Sequence, residues 1–374
     1  MLNTKAVGIL FANMHDASVG EMTEHRSMAS LPFGGRYRLI DFALSSFTDA
    51  GITKVGVIAK SNYSSLMDHL GSGRQWDLSR KRGGLSIFPP HRYSDETESL
   101  YHGRIQALHN VLSYVRNSIE SYVVLMDCDY VCNYDTGSLI ASHIESGADV
   151  TMLCCGLVPD EEMVRNCIMV RPNDEGRAIE MLVNHAADGS LMSMNVFVIA
   201  KDILIGLIEN AIMNKLWFFE RDILVEQLDE LDIRVFRHEG FVRRIYSMKS
   251  YFDANMSLLE YDNLTALFLP ERPIYTKVRD EAPVRYGLRA SVHNTLLADG
   301  CIVEGTVSDS VLFRGVKVEK GAVVKDSILM QDTIVREGAV LSHVITDKNV
   351  RIFGHGELAG ETGRPLYIKK ASVV

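Results

Sequence analysis

Residues 315–340 read GVKVEKGAVVKDSILMQDTIVREGAV, and small aliphatic side chains recur in this stretch at every sixth position. An amphipathic helix would repeat about every 3.6 residues and a half-buried strand about every two, so neither explains the spacing. A six-residue period instead predicts one flat face per repeat and three faces per turn, which is a left-handed parallel β-helix of hexapeptide repeats. The positions of this period are Val316, Ala322, Ile328, Ile334 and Val340, and the predicted corner glycines are Gly300, Gly305, Gly315, Gly321 and Gly338.

The part of the chain before this repeat, residues 1–259, shows a different pattern. Continuous apolar runs alternate there with amphipathic segments; the runs include 6–11, 54–59, 122–126 and 150–154, and the segments include 136–146 and 202–214. Strands of this kind, buried on both faces, predict a mainly parallel sheet covered by helices, an α/β architecture of the Rossmann-like type. Prolines punctuate residues 260–285, which we interpret as a linker to a β-helix domain at 286–374.

Composition and charge exclude several classes of protein. The chain has 374 residues, 47% of them hydrophobic, which is enough for two domains with buried cores. Its net charge of −9 argues against a nucleic-acid-binding or membrane-surface role, because both need basic patches. The N-terminus lacks the features of a signal peptide, no apolar run is long enough to span a bilayer, and the six cysteines show neither CxxC nor zinc-ligand spacing. We therefore expect a cytoplasmic protein with reduced thiols.

Several short motifs occur in a fixed order along the chain. They read LPFGGRYRLIDF at 31–42, QWDL at 75–78, NDEGRAIE at 173–180, SMN at 193–195 and YFDANM at 251–256. Their order and spacing resemble those of the sugar-1-phosphate nucleotidyltransferases, and within that family the ADP-glucose pyrophosphorylases, over essentially the whole chain. The resemblance implies a nucleotidyltransferase-like domain before the β-helix. The family's reaction converts ATP and glucose 1-phosphate into ADP-glucose and pyrophosphate.

The phosphate-binding loop of the family is not retained. Where the family has two glycines, a variable residue, glycine, threonine and arginine, this chain reads NMHDAS. The glycine positions thus carry Asn13, Met14 and Asp16, and the arginine position carries Ser18. Small residues let backbone N–H groups reach phosphates, whereas a carboxylate at position 16 would repel a triphosphate. No shift of register restores the loop, because residues 9–19 contain no glycine.

The resemblance also locates the family's pair of metal-binding aspartates. Asp129 matches one of them, but Phe218 stands where the other is expected, and a phenyl ring cannot ligate magnesium, which demands oxygen ligands. Glu220 or Asp222 could substitute only from a different position. We expect no metal here and interpret Asp127 and Asp129 as a surface carboxylate pair.

The positions that hold the nucleotide and the sugar phosphate in the family are changed as well. A family lysine before the PFGG motif is replaced by Met28, and the family's GTADA motif appears as GRIQA at 103–107. Asn184 replaces the lysine of a Glu-Lys-Pro motif, and Arg244 and Tyr246 replace the aspartate and the glycine of Asp-Val-Gly. The simultaneous loss of interactions that act together implies a loss of activity by orders of magnitude. We therefore predict that this chain has no catalytic residue.

This pattern of substitutions is similar to that of the non-catalytic, regulatory subunit of bacterial ADP-glucose pyrophosphorylase, the GlgD type. The resemblance implies a role in glycogen biosynthesis, within a heterotetramer with a homologous catalytic subunit, and a homo-oligomer when the chain is alone. No cofactor is expected, and magnesium would be needed only if the chain were active. Anionic effectors of the family bind near the junction of the two domains. Arg36 and Arg38 are candidate effector ligands there, with an interdomain salt bridge as their alternative role.

Three other functions are compatible with parts of the sequence. The chain could be an active sugar-1-phosphate nucleotidyltransferase with a diverged loop, or a stand-alone metabolite sensor without an enzymatic partner. β-Helix domains also serve acyltransferases that use a histidine as general base, for which His293, His343 and His355 are available. Single histidines on such a domain are more often surface or turn residues.

Overall fold

The structure, a computed structural model, describes residues 5–89, 103–354 and 356–374. An α/β unit built on one mixed, mainly parallel sheet is followed by a β-helix of parallel strands, which confirms the predicted fold class. His355 lies outside the described residues. No helix in the described part of the chain is both long and apolar enough to cross a membrane. All six cysteines are free and buried.

The elements of the α/β unit follow the predicted alternation of strands and helices. The strands are β1 Ala6–Phe11, β2 Pro32–Phe33, β3 Tyr37–Arg38, β4 Lys54–Ile58, β5 Gly84–Phe88, β6 Tyr122–Asp127, β7 Tyr130–Cys132, β8 Val150–Cys155, β9 Ile168–Pro172, β10 Ala178–Val183, β11 Leu191–Ala200, β12 Ile233–His238 and β13 Val242–Arg244. The α-helices are α1 Leu39–Asp49, α2 Ser64–Leu70, α3 Arg104–Asn110, α4 Leu112–Arg116, α5 Thr136–Ser146, α6 Lys201–Met213, α7 Met248–Met256 and α8 Tyr261–Leu267. Short 3₁₀ helices are Asp16–Thr23, Met28–Ser30, Arg74–Trp76, Met163–Asn166 and Ser257–Leu259, and Phe219–Val225 is a π-helix.

The central sheet has the order β5-β4-β1-β6-β11-β8-β12, with β9 and β10 joined to the start of β11. Strands β1, β4, β5 and β6 are mutually parallel, and β11 is antiparallel to both β6 and β8. Every residue of β1 is buried, and its side chains alternate between two cores, as a strand period of about two requires. Helix α5 packs on one face and α6 on the other. The carboxyl ends of β1 and β6 lie side by side, which is where α/β sheets usually bind ligands.

The β-helix is built from short parallel strands. They are β14 Arg285–Tyr286, β15 Ser291–Leu297, β16 Ile302–Val303, β17 Thr306–Leu312, β18 Lys317–Val318, β19 Val323–Lys325, β20 Ile328–Leu329, β21 Ile334–Val335, β22 Val340–Ser342, β23 Val344–Thr346, β24 Arg351–Ile352, β25 Glu357–Ala359 and β26 Leu366–Ile368. Helix α8 occupies part of the segment that we interpret as a linker, and residues 268–284 contain no helix or strand.

The predicted unbroken period of six is wrong from its third position, Ile328, onward. Val316 and Ala322 are fully buried inside the coil, but Ile328 is buried in the core of the domain junction, and Leu329 is the residue inside the coil. Ile334 and Val340 are only half-buried, and the fully buried positions of the next coil begin at Thr333. The reason is the length of the coil. Position 317 pairs with 334, and 334 with 351, so each of these coils takes 17 residues rather than three full hexapeptides. The missing residue lies between the second and third faces.

The corners of the β-helix are set by residues in the left-handed region. Gly300, Gly315, Gly321 and Gly338 have positive φ as expected for corner glycines, whereas Gly305 does not. A glycine is required at position 305 for another reason: a Cβ there would lie 2.4 Å from the carbonyl oxygen of Ala322 in the next coil. One corner stacks Asn294, Asp309, Asp326 and His343, all with positive φ. His343 is therefore a turn residue, and His293 is exposed, so neither suggests an acyltransferase site.

A buried ion pair joins the α/β unit to the last coils of the β-helix. Nη2 of Arg26 donates to both carboxylate oxygens of Asp347, at 2.6 and 2.8 Å, and the hydroxyl of Tyr367 donates to the same carboxylate at 2.7 Å. Arg26 and Asp347 are each 2% exposed. The two charges thus depend on each other for neutralisation, since water does not reach them.

Replacing Asp347 by Asn removes the charge that neutralises Arg26. We expect the free energy of unfolding to fall by about 3–5 kcal/mol, because a buried charge without its partner carries the cost of its desolvation. Denaturant unfolding followed by circular dichroism measures the change. In the control Glu209→Gln, which breaks an ion pair that is about half exposed on both sides, we expect a change below about 1 kcal/mol. Equal effects of the two substitutions would contradict this prediction.

Candidate functional site

The candidate site lies at the carboxyl ends of β1 and β6. Asp127 is the last residue of β6 and pairs in register with Phe11, the last residue of β1, so the loop after β1 faces the carboxylates. This loop carries His15. Arg104, the first residue of α3, and Arg244, the last residue of β13, reach the same place from two other elements.

Arg104 is bound by two carboxylates. Its Nη1 donates to Oδ1 of Asp127 at 2.7 Å and its Nη2 to Oδ2 at 2.9 Å, while its Nε donates to Oε1 of Glu220 at 2.7 Å. The guanidinium lies 4.5 Å from the centroid of the Phe11 ring, and Arg104 is 3% exposed. A two-pronged Arg–carboxylate contact of this kind is among the strongest and most directional hydrogen-bonded pairs. The Nη1, Nη2 and Nε atoms of Arg104 therefore each donate a hydrogen bond to a carboxylate.

Asp129 has its own cationic partners. Nε of Arg244 donates to its Oδ2 at 3.0 Å, and Nε2 of His15 lies 3.6 Å from the same oxygen and 2.8 Å from Oδ2 of Asp127. Both aspartates are buried, Asp127 at 4% and Asp129 at 0% exposure. The interpretation of Asp127 and Asp129 as a surface pair is thus wrong, because two arginines and a histidine reach them and neutralise their charges inside the protein.

The pKa values within this cluster reflect the pairing. Burial by itself would raise the pKa of Asp127, but the charge of Arg104 and the hydrogen bond with His15 outweigh it and hold the pKa well below its usual range. Burial would lower the pKa of His15, but the charge of Asp129 and the hydrogen bond to Asp127 raise it overall. The imidazole is therefore stabilised in its charged form, and three cations face three anions when Glu220 is included.

These residues do not fit magnesium. The ligating atoms of His15, Asp127 and Asp129 lie within 4.8 Å of one another, which is close enough to hold an ion. Magnesium, however, requires near-octahedral oxygen coordination, and both oxygens of Asp127 are already bound by Arg104. Oδ1 of Asp129 has no hydrogen-bond partner, but Glu220 is held by Arg104. Phe218 contributes no oxygen.

The loop after β1 is held by its own side chains. Oδ1 of Asp16 accepts the backbone N–H of Met28 at 2.7 Å, and Oδ2 accepts from Nδ2 of Asn13 at 2.5 Å. Oδ1 of Asn13 accepts the backbone N–H of Lys60 at 2.8 Å. Burial raises the pKa of Asp16 to about 6, although its hydrogen bonds with Asn13 and Met28 oppose the rise. The side chains that replace two of the glycines thus bind backbone N–H groups of neighbouring segments, at Met28 and Lys60.

A cavity of about 220 Å³ lies between this loop and α3. Ligand pockets in proteins are typically about 300–1,000 Å³, so this cavity is small for a nucleoside triphosphate. The apolar side chains of Met14 and Phe218, which are 38% and 42% exposed, line this cavity. Its described lining residues are Phe11, Asn13, Met14, Ile58, Lys60, Gly103, Arg104, Ala107, Phe218 and Glu220.

The structure brings some of the sequence-predicted positions together and separates others. Asn13, Met14 and Phe218 line the cavity, and Arg244 is in the carboxylate cluster. The other four positions lie outside both: Asp16 accepts from the backbone N–H of Met28, Met28 is buried among the apolar residues at the domain junction, Asn184 is exposed with φ 61°, and Ser18 is half-buried in the 3₁₀ helix.

Sequence reasoning missed the roles of His15 and Arg104. Arg104 was visible only as a large cation at a position where the resemblance has threonine, within the GRIQA motif. A cation in a buried segment needs an acid nearby, and that requirement was the available signal.

A second site lies at the junction between the α/β unit and the β-helix. Its lining residues come from the segment 32–38, from α2, from the connecting segment and from the β-helix. No carboxylate is found among those described lining residues, and six are cationic. They are Arg36, Arg38, Lys277, Arg279, Arg314 and Lys348. The cavity itself is about 40 Å³, and it adjoins a wider groove through Arg36 and Tyr37.

The cations at the junction are only partly neutralised. Within the described part of the chain, neither Arg36 nor Arg38 has an ion pair to an acid, and Arg38 instead donates to the carbonyl oxygen of Ser65 at 2.7 Å. The side chain of Arg314 is 8% exposed, and its Nη2 has no hydrogen-bond partner. Burial and the charges of nearby arginines, among them Arg38, together lower the pKa of Lys348 to about 7. Excess positive charge of this kind favours an anion.

Comparisons with known proteins agree with this architecture. A family model described as nucleotidyl transferase matches residues 20–231, and one described as GlmU-like, C-terminal hexapeptide matches residues 282–361. The glycogen biosynthesis protein GlgD of Bacillus subtilis (strain 168) is 35% identical over 374 residues, which is 100% of this chain and 98% of that protein. GlgD of Geobacillus stearothermophilus is 36% identical over 86% of this chain and 84% of its own length. Glucose-1-phosphate adenylyltransferase of Geobacillus stearothermophilus is 33% identical over 87% of this chain and 84% of its own length.

Replacing Asp16 by Asn should remove the contribution of this carboxyl group to the pH dependence of the free energy of unfolding. The pKa of Asp16 is raised from 3.8 to about 6 in the folded protein, so the folded wild type loses stability as pH rises through this window. Relative to the wild type, the free energy of unfolding of the variant should rise by about 3 kcal/mol between about pH 3 and pH 7, because one pKa unit corresponds to about 1.4 kcal/mol. Urea unfolding of both proteins across this range measures it. A difference that does not change with pH would contradict the prediction.

Proposed function

This chain belongs to the nucleotidyl transferase family, as a relative of GlgD and glucose-1-phosphate adenylyltransferase, and on that premise we propose that it is a regulatory subunit in glycogen biosynthesis. In this proposal the chain itself is non-catalytic and cytoplasmic. It modulates a homologous catalytic subunit that makes ADP-glucose and pyrophosphate from ATP and glucose 1-phosphate.

The geometry of the carboxylate cluster supports the non-catalytic part of the proposal. Phosphoryl-type transfer depends on positioning and on stabilisation of growing negative charge. Here Asp127 is bound on both oxygens by Arg104, and Asp16 places a carboxyl group in the loop that would have to accept a triphosphate. The adjoining cavity is small, and its walls include the apolar side chains of Met14 and Phe218.

The basic pocket at the domain junction is the observation that carries the regulatory part. Cations from three separate segments converge there, among them Arg38, Arg279 and Lys348, and Arg314 presents an unpartnered nitrogen. Guanidinium groups bind phosphate groups with paired hydrogen bonds. We assign an anionic effector, such as a sugar phosphate or phosphate itself, to this pocket, with Arg36 and Arg38 among its ligands. Such an effector would draw the two structural units together, because it is bound by both.

The proposed assembly is a heterotetramer with the catalytic subunit and a homo-oligomer in its absence. The β-helix offers an open edge at its first coil, where β14 pairs only with β16 among the described strands. Tyr286 and Leu288 are highly exposed at this end. Unpaired strand edges and exposed apolar side chains favour association with another subunit.

The catalytic test measures pyrophosphate release from ATP and glucose 1-phosphate by this chain, by the glucose-1-phosphate adenylyltransferase of the same organism, and by their mixture. We expect no turnover by the chain alone, co-elution of the two proteins in size-exclusion chromatography, and a rate of the mixture that phosphorylated metabolites change by about fivefold or more. Turnover by the chain alone at the rate of the homologue would favour the active-enzyme alternative. Separate elution with an unchanged rate would favour the stand-alone sensor.

The junction pocket can be tested with sulfate, which keeps its charge across the relevant pH range. Because the pKa of Lys348 is lowered to about 7 and an anion favours the charged amine, sulfate affinity should fall as pH rises above 7, by up to about tenfold per pH unit. The sulfate-dependent rise in the unfolding temperature reports the affinity. Lys348→Gln should weaken binding and remove the pH dependence, whereas the control Lys370→Gln, at an exposed lysine, should behave as wild type. Equal stabilisation of wild type and Lys348→Gln would contradict the assignment.

A further inference from the structure

The carboxylate cluster has the outline of a metal site that a side chain has entered. Nε2 of His15 and carboxylate oxygens of Asp127 and Asp129 lie within 4.8 Å of one another, an arrangement that can chelate a divalent ion. Asp129 is fully buried, and its Oδ1 has no hydrogen-bond partner. A buried carboxylate oxygen normally has a donor or a cation beside it, and this one has neither.

Arg104 supplies positive charge to the cluster at Asp127. It enters from the start of α3, with one face of its guanidinium 4.5 Å from the Phe11 ring and its centre 5.8 Å from the Phe197 ring. Its polar edge meets both oxygens of Asp127 and one of Glu220. Rings on its faces and acids on its edge leave the guanidinium one orientation, and its charge cannot be removed at accessible pH.

We propose that Arg104 is a built-in cation that takes the place of a divalent metal ion in this cluster, so that His15, Asp127 and Asp129 form a metal site only when Arg104 is absent. The charges support this. With Arg104, the two arginines and the histidine balance the three acids. Without it, Glu220 loses the arginine that binds it and Asp127 keeps only His15, so a divalent ion could replace the lost charge at these carboxylates.

The class of ion follows from the ligands. One imidazole nitrogen and two carboxylates suit first-row divalent ions that accept mixed nitrogen and oxygen coordination, such as Mn²⁺, better than magnesium. The inference concerns ion binding only and does not rest on the proposed function. Regulation of a partner and exclusion of metal can fail separately.

A built-in cation has one structural consequence. The loop after β1, the end of β6, the start of α3 and the end of β13 all meet at this cluster. Because the charge that joins them is covalently part of the chain, their arrangement should not depend on the concentration of divalent ions. A metal-bound site of the same shape would change with that concentration.

The experiment is a Mn²⁺ titration of the purified full-length chain, followed by electron paramagnetic resonance of the free ion and by the unfolding temperature. We expect no saturable site in the wild type and no change of its unfolding temperature with Mn²⁺ or with EDTA. Arg104→Thr should bind one Mn²⁺ at least about tenfold more tightly than the wild type, because one like charge has been removed at contact distance. Its unfolding temperature should rise with Mn²⁺.

Two further variants define the site. Arg104→Thr combined with Asp127→Asn should lose the gained Mn²⁺ binding, since Asp127 is the acid that Arg104 releases. Arg221→Ala is the matched control, because Arg221 is an exposed arginine that pairs with Asp222 on the neighbouring π-helix and does not contact the cluster. It should bind no more Mn²⁺ than the wild type.

Three results would overturn the proposal. The first is a wild-type chain that already binds Mn²⁺ as tightly as Arg104→Thr. The second is a folded Arg104→Thr, judged by its circular dichroism, that gains no Mn²⁺ site. The third applies even if the substituted chains do not fold: a wild-type unfolding temperature that rises with Mn²⁺ and falls with EDTA would show that the cluster already holds a metal ion.

Discussion

The two-pronged contact between Arg104 and Asp127 is the interaction around which the candidate site is organised. It places a permanent cation on the carboxylate at the end of the central strand, and through Glu220 it also fixes the start of the π-helix. His15 and Arg244 complete the neutralisation from the other side. The opposite charges at this end of the sheet are thus paired with one another inside the protein.

The domain junction shows the opposite balance. Cationic side chains converge there without an acid among the described lining residues, and burial together with nearby arginines lowers the pKa of Lys348 to about 7. One region of the molecule therefore pairs its charges internally, whereas the other brings cations together with no acid among its described lining residues. The regulatory role that we propose, with a non-catalytic α/β unit and an anion site at the junction, is based on this division.

The sequence predicted what depends on local periodicity and could not predict what depends on distant partners. The run at 6–11 and the amphipathic segment at 136–146 form a strand and a helix with those same limits, because their burial patterns are set by neighbouring residues. The pairing of Arg104 with Glu220 joins residues 116 positions apart, and no local pattern reveals it. The same limitation led to the interpretation of Asp127 and Asp129 as a surface pair. Two acids separated by one residue are expected to be exposed unless cationic partners are known, and those partners are distant in the sequence.

The number of residues per coil of the β-helix differs from the three full hexapeptides that the sequence predicts. Its coils close after 17 residues at the strands pairing 317, 334 and 351, and the left-handed corner residues Asp309, Asp326 and His343 recur at that same interval. An insertion or deletion in this region therefore preserves the register between coils only if its length matches this interval. A tandem duplication of 17 residues would add one complete rung and lengthen the prism, whereas an insertion of six, harmless in an ideal hexapeptide array, would leave every later corner out of alignment with the rung below.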